Sequence, residues 1–265
     1  MRAARAAEEE ERSEALYSGR RYGGLDGAAI TGTGPDERPY DVRCFFLCPN
    51  DRMKHAAAID ERCETMLSGG LLRETADLRL SGHLPDGGQP ARAIGYRQAL
   101  DYLQRDGPKE AEGGDRASLN SFMADFASAT RRYAKKQMQW FRRDPDFLFV
   151  PVDLSASAED RVGAAADAVL NLCLLPREEY ERELAGPDGD DDDEDRARGA
   201  VGDENLPLSW RTKVENERQG KGMKFFRAQR RSIVEGTDLY ESILEEADSC
   251  AARLRGGGVG ELPPL

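Results

Sequence analysis

The chain is 265 residues long and carries 38 Lys and Arg against 50 Asp and Glu, a formal net charge of −12. That length allows one sizeable domain with appendages, and no run of about twenty apolar residues is present to cross a bilayer as a helix. Five scattered Cys and two His give no disulfide framework and no metal or triad constellation, and they fit a reducing compartment, either cytoplasm or an organelle stroma or matrix.

Residues 3–17 read as a helix rich in Ala, Glu and Arg, and 18–39 as a Gly- and Pro-rich loop. The basic start turns acidic at Glu8–Glu11, which argues against a transit peptide. Val42 to Cys48, or from Tyr40, is an apolar run bounded by Pro39 and Pro49 and predicts a buried strand of a parallel sheet. Cys44 and Cys48 share one face of that strand and read as small buried hydrophobes rather than zinc ligands.

Asn50 or Asp51 is placed to cap the next helix. Its predicted stripe is Met53, Ala56, Ile59, Cys63 and Met66-Leu67, Gly69 and Gly70 stop it, and His55 is expected at its surface. A second helix runs to about Leu80. The loop from Gly82 to Pro90 delivers Arg92 to the start of a helix over Ile94–Leu103. An Arg at such a junction either meets an anion or is a plain surface residue. Gly95 allows close approach of a ligand or, equally, of a packing helix. Asp106 to Asp115 reads as a polar linker.

Ser118 to Arg143 predicts a long helix, ended by Asp144 and Pro145. At about 100° per residue, Phe122, Phe126, Tyr133 and Trp140 share one face, with Arg131, Lys135 and Arg142 opposite and Arg132, Gln139 and Arg143 beside them. A row of cations on an acidic protein wants a polyanion, because Arg and Lys four apart track phosphates and Gln adds neutral hydrogen bonds. The plain alternative is a solvated helix face.

Phe147 to Val152 predicts a last strand, followed by helices near 157–175 and 177–184. Gly186 to Asn205, with its run Asp188–Asp195, predicts a disordered acidic linker. Residues 208–231 hold a second basic cluster interleaved with Phe225 and Phe226. That cluster is either a second RNA contact or a helix docking its two Phe on the core. Leu239 to Leu254 repeats Ile243, Leu244, Ala247 and Ala251 at helical spacing and predicts a helix packed on the body.

Three pieces fall in a telling order: Glu61, Arg62, Met66 and Gly69-Gly70-Leu71; then Ile94-Gly95-Tyr96-Arg97-Gln98; then Thr130-Arg131-Arg132-Tyr133-Ala134-Lys135-Lys136-Gln137 with Trp140-Phe141-Arg142. This pattern resembles the C-terminal half of the tRNA dimethylallyltransferases (tRNA isopentenyltransferases) over residues 41–150 and, more weakly, 10–22. The strand at Tyr40–Leu47 and the long C-terminal extension look more like plant and algal members than bacterial ones.

The resemblance implies an α/β, mostly helical fold. It would be the C-terminal part of a P-loop NTPase-like domain, with few parallel strands, plus a helical extension. It divides the chain into 1–39 (end of a tRNA-gripping insertion and loop), 40–153 (C-terminal part of the transferase domain), 154–185 (helical extension), 186–205 (acidic linker) and 206–265 (basic, helical extension). The implied activity is transfer of a dimethylallyl group from its diphosphate to the exocyclic amine of the adenosine beside the tRNA anticodon. Mg²⁺ would accompany the diphosphate, and an Asp in the N-terminal half would be the base. Arg92 is then implied to contact the diphosphate, a task its planar fork suits better than a Lys. Arg131, Arg132, Lys135, Lys136, Gln139, Arg142 and Arg143 are implied to grip the anticodon arm. No membrane partner is expected.

G-x-x-x-x-G-K-[ST] occurs nowhere in these residues; Thr31 to Pro35, the nearest Gly-rich piece, has no Lys. The expectation is therefore a fragment of a longer enzyme, with no catalytic residue of its own and an apolar sheet edge left exposed. The alternatives are a non-catalytic RNA-binding relative, or an interaction protein that uses 206–255 to bind an unknown protein partner.

Overall fold

Strand β1 (Cys44–Pro49) pairs in parallel with β2 (Phe147–Val152) in a two-stranded sheet. Between them run α1 (Arg52–Ser68), α2 (Leu71–Leu80), a 3₁₀ turn (Pro90–Arg92), α3 (Tyr96–Leu103) and the long α4 (Gly114–Arg143). After β2 come α5 (Ala158–Cys173), α6 (Arg177–Ala185), α7 (Leu208–Gly222), a 3₁₀ turn (Met223–Phe225) and α8 (Asp238–Gly256). The computed structural model describes residues 41–104, 114–185, 206–228 and 230–256. The expected N-terminal helix and loop, most of the polar linker and the acidic 186–205 segment lie outside the described residues. Two compact units divide at Cys44. In the first, Arg43 pairs with Asp41 at 2.8 Å, and the helices described here lie in the second.

Local sequence explains the boundaries. Asp51 caps α1, its Oδ1 accepting from the N–H of Met53 at 2.8 Å and of Lys54 at 2.9 Å, an arrangement worth about 1 kcal/mol. At the start of α3, Gly95 is buried with φ +100°, and a Cβ there would meet the Phe126 ring at an ordinary 3.5 Å. Backbone conformation and helix packing therefore account for this glycine. Its N–H donates to Gln98 Oε1 at 2.9 Å.

The main core gathers Leu67, Leu72, Leu103, Leu119, Phe122 and Phe126 from α1–α4 with Tyr240, Ile243 and Ala247 from α8. The buried Tyr240 hydroxyl donates to Asn120 Oδ1 at 3.1 Å. A smaller cluster sets Leu148 and Val150 of β2 against Leu172 and Tyr180, with Phe45 packed on it. The segment leading into α8 is clamped by one side chain. The buried Glu64 carboxylate accepts the backbone N–H of Arg231 (3.1 Å), Ser232 (2.7 Å) and Ile233 (2.9 Å). Helix α7 lies on β2, where Ser209 Oγ accepts the Phe149 N–H at 2.8 Å. That amide is one the β1 ladder does not take, so the expected bare sheet edge is covered at this point, while Leu47 of β1 is 53% exposed.

Three expectations need correction. Met53 and Met66 of α1 are exposed; Ala56, Ile59, Cys63 and Leu67 form its buried stripe, together with the carboxylates Asp60 and Glu64. His55 is half-buried rather than on the surface. On α4, Phe122 and Phe126 are buried but Tyr133 is 52% and Trp140 39% exposed. The buried face passes instead to Ala134, Met138 and Phe141, displaced by one residue, or about 100°. The cause is a change of partner along the helix. Its first half packs in the helical core. Its second half stacks Phe141 on Phe46, at 4.5 Å between ring centres, and sets Met138 against Asn216 of α7.

Candidate nucleic-acid interface

The turned face of α4 changes where its cations stand. Arg131, Lys135 and Arg142 lie on the same helical side as buried Met138, so they edge the packing surface instead of opposing it. There, α1, α4 and α7 enclose a groove of about 450 Å³. Arg131, Arg132, Lys135, Gln139 and Arg142 line it from α4, Arg52 and His55 from α1, and Lys221 from α7. Glu217 is the one carboxylate lining it among the described residues, and it holds Arg142 at 3.4 Å. The structure thus brings together five of the seven residues implied to grip RNA. Lys136 and Arg143 are exposed outside the lining.

The members of the groove differ in availability. Arg131 is committed, its Nη1 donating to the buried Asp60 carboxylate and its guanidinium lying 5.4 Å from the centre of the Phe226 ring. Burial pushes Asp60 up from the ordinary carboxylate range, and Arg131 offsets part of that. Arg132 and Lys135 are exposed. Arg52 enters from the first turn of α1, its backbone N–H donating to Gln219 Oε1 at 2.9 Å. A Cβ at Gly220 would stand 2.7 Å from Arg52 Nη1, so α7 makes room for that guanidinium by having no side chain there. The buried Arg52 Nε has no hydrogen-bond partner among the described residues. Burial first, then Arg142, lower the Arg52 pKa, and burial followed by Arg52 lowers that of His55. Cations crowded closely enough to disfavour one another's charge are placed to receive an anion.

Arg92 ends the 3₁₀ turn, exposed, and its side chain makes no hydrogen bond or ion pair with a described residue. It is not part of the groove lining. Just beyond it, the Tyr96 hydroxyl donates to Glu74 Oε1 at 2.6 Å, and that bond holds the phenol pKa above its usual value. Arg92 thus projects from a turn fixed on both sides, by the Arg92 N–H bonded to Gln89 O at 3.1 Å and by Gly95 packed on Phe126.

Residues 8–144 match the family model described as IPP transferase. The chain belongs to that family. Among curated proteins it is similar to tRNA dimethylallyltransferase 9 of Arabidopsis thaliana, 33% identical over 210 residues that cover 78% of this chain and 38% of that protein. The tRNA dimethylallyltransferase of Protochlamydia amoebophila is 36% identical over 115 residues, covering 43% and 31%. That of Thiobacillus denitrificans is 37% identical over 136 residues, covering 51% and 39%. The chain therefore spans less than two-fifths of the length of these curated relatives. No solved structure matches it.

In this IPP transferase chain the groove is composite. Helices α1 and α4 fall inside the family span and α7 outside it. A plant match of 210 residues necessarily runs past residue 144 into the extension. Arg52, His55 and Gly220 were missed from the sequence because each is unremarkable locally and gains meaning only when α7 returns beside α1, whereas Lys221 belongs to the basic cluster of 208–231 that the sequence offered as a second RNA contact. No group of three His, Cys, Asp or Glu among the described residues comes together to hold a metal ion. No described helix is long and apolar enough to cross a membrane.

Proposed function

We infer that this chain serves dimethylallyl transfer to tRNA, and that its own share of the work is to grip the anticodon arm and steady the prenyl diphosphate. The observation that carries the reading is the cationic groove of α1, α4 and α7, whose described lining has six cations and one carboxylate, Arg131 alone among the six being committed to Asp60 outside that lining. A rigid row of Arg and Lys along a packed helix meets phosphates at fixed spacing, and Gln139 adds a donor and acceptor for sugar or base. An adenosine held in this way can be presented extrahelically to a transfer site. Arg92, with no partner among the described residues, is suited to a bidentate grip on a diphosphate oxygen pair. The Mg²⁺ of this reading accompanies the diphosphate, whose oxygens are hard ligands suited to it.

The test is binding of the full chain to an unmodified anticodon-arm RNA across a salt series. Affinity should fall linearly with salt on logarithmic axes, and Arg132→Glu or Lys135→Glu should each cost about tenfold and lower the slope by about one. Affinity indifferent to both charge reversals would overturn the reading. Binding that persists without transfer of label from dimethylallyl diphosphate would favour a non-catalytic RNA-binding role.

A further inference from the structure

The lip of the groove carries an aromatic that the core does not use. Phe225 is 66% exposed, the most exposed aromatic among the described residues. A single exposed apolar side chain is ordinary, but this one is held in place. Phe226, next in sequence, turns inward to line the groove under Arg131, and Met223 lines it from the other side of the turn. The Phe226 N–H donates to Met223 O at 3.1 Å, and Arg227 Nη1 donates to the carbonyls of Lys224 at 3.2 Å and Phe226 at 3.0 Å. The turn is therefore stitched on both sides, with Phe225 projecting outward. Lys224 Nζ lies 4.9 Å from its ring centre, and no other ring contact to Phe225 is made by a described residue. Lys221, one turn earlier, is exposed on the groove wall.

We propose that the Met223–Phe225 turn is a base-stacking contact, in which Phe225 takes the face of an unpaired nucleotide while Lys221 and Lys224 hold its flanking phosphates. This rests on the reading of the groove as an RNA site and adds to it a feature of the ligand: an unpaired base next to the gripped backbone. The charge of the groove selects a polyanion. A fixed aromatic beside cations selects a single-stranded stretch, because every unpaired base offers a π-face whereas a duplex hides them. The turn lies outside the family span of 8–144, so the contact belongs to the extension.

The experiment compares the full chain and its variants on two RNAs of equal charge, an anticodon-arm hairpin with its unpaired loop and a fully paired duplex. Phe225→Ala should lose about tenfold on the hairpin and nothing on the duplex, and Phe225→Trp should restore hairpin binding with its fluorescence quenched above the background of Trp140 and Trp210. Equal binding of the hairpin by Phe225→Ala and wild type would overturn the proposal and leave the groove reading standing. Equal weakening on both RNAs would also overturn it, since a structural role does not distinguish loop from duplex. Failure of the wild type to bind either RNA would instead remove the groove reading, and this proposal with it.

Discussion

Arg131 of α4 donates to the buried carboxylate of Asp60 on α1, so a cation in the middle of the basic row spends its charge inside the protein. The pair joins the two walls of the groove and sets how positive it is. Asp60→Asn should release that charge. Polyanion binding should tighten severalfold and its salt slope steepen by about one. Stability should change by about 1 kcal/mol or less, because Arg131 is 23% exposed, so its charge is not left buried, and the Asn oxygen still accepts from it. Paired binding and urea-unfolding measurements check this; weaker binding would show that Arg131 contacts RNA only when Asp60 aims it.

Glu64 predicts a larger and purely structural effect. Its carboxylate is the acceptor for three successive N–H groups at 231–233. Glu64→Ala should cost about 1–3 kcal/mol, since the buried Ile233 N–H would be left unsatisfied while Arg231 and Ser232 are exposed and their N–H groups can turn to water. Hydrogen exchange at the Ile233 amide should accelerate by the same free energy if the clamp is local to that strap, and a slow amide in the mutant would refute it.

Gly95→Ala should cost about 1–3 kcal/mol, for backbone strain at φ +100° and not for a clash. The observable is a lower melting temperature. An unchanged melting temperature with altered diphosphate binding would mean instead that a ligand, rather than a helix, needs the space.

His55 predicts a pH dependence of binding. Burial and Arg52 hold its free-state pKa below the usual value near 6.5. Phosphates in the groove would favour the imidazolium and raise that pKa. Binding then takes up a proton, so affinity should rise as pH falls through the window between the raised bound pKa and the lowered free one, with the full gain reached below the free one. His55→Gln should flatten the profile across that window. Without ligand the sign runs the other way for folding. The unfolded chain binds the proton more readily, so stability falls as pH drops below about 6.5.

What the sequence made legible was whatever is decided locally. The apolar run bounded by Pro39 and Pro49 marked β1, the apolar run Phe147–Val152 marked β2, Asn50 or Asp51 marked the cap of α1, and Gly69 its end. The family pattern marked the helix that carries the cations. Choosing core residues by type misled the reading of α4. Tyr133 and Trp140 are aromatic and in phase with Phe126, yet Ala134, Met138 and Phe141 are the residues turned toward the sheet and α7. A periodicity argument assumes one partner along the whole helix, and this helix changes partners. The Arg131–Asp60 pair spans 71 residues and the Arg52–Gln219 bond 167, separations at which no local signal exists.

The burial of Tyr240, Ile243 and Ala247 against Leu72 and Leu103 has a consequence for how the protein is made. Synthesis delivers the chain N-terminus first at about 5–20 residues per second, so the helices that need α8 wait roughly ten to thirty seconds for it. During that interval the apolar faces of α2 and α3 are open to whatever is nearby on the ribosome. A cell that shortens the wait, or shields those faces with a holdase, would recover more folded protein from the same message.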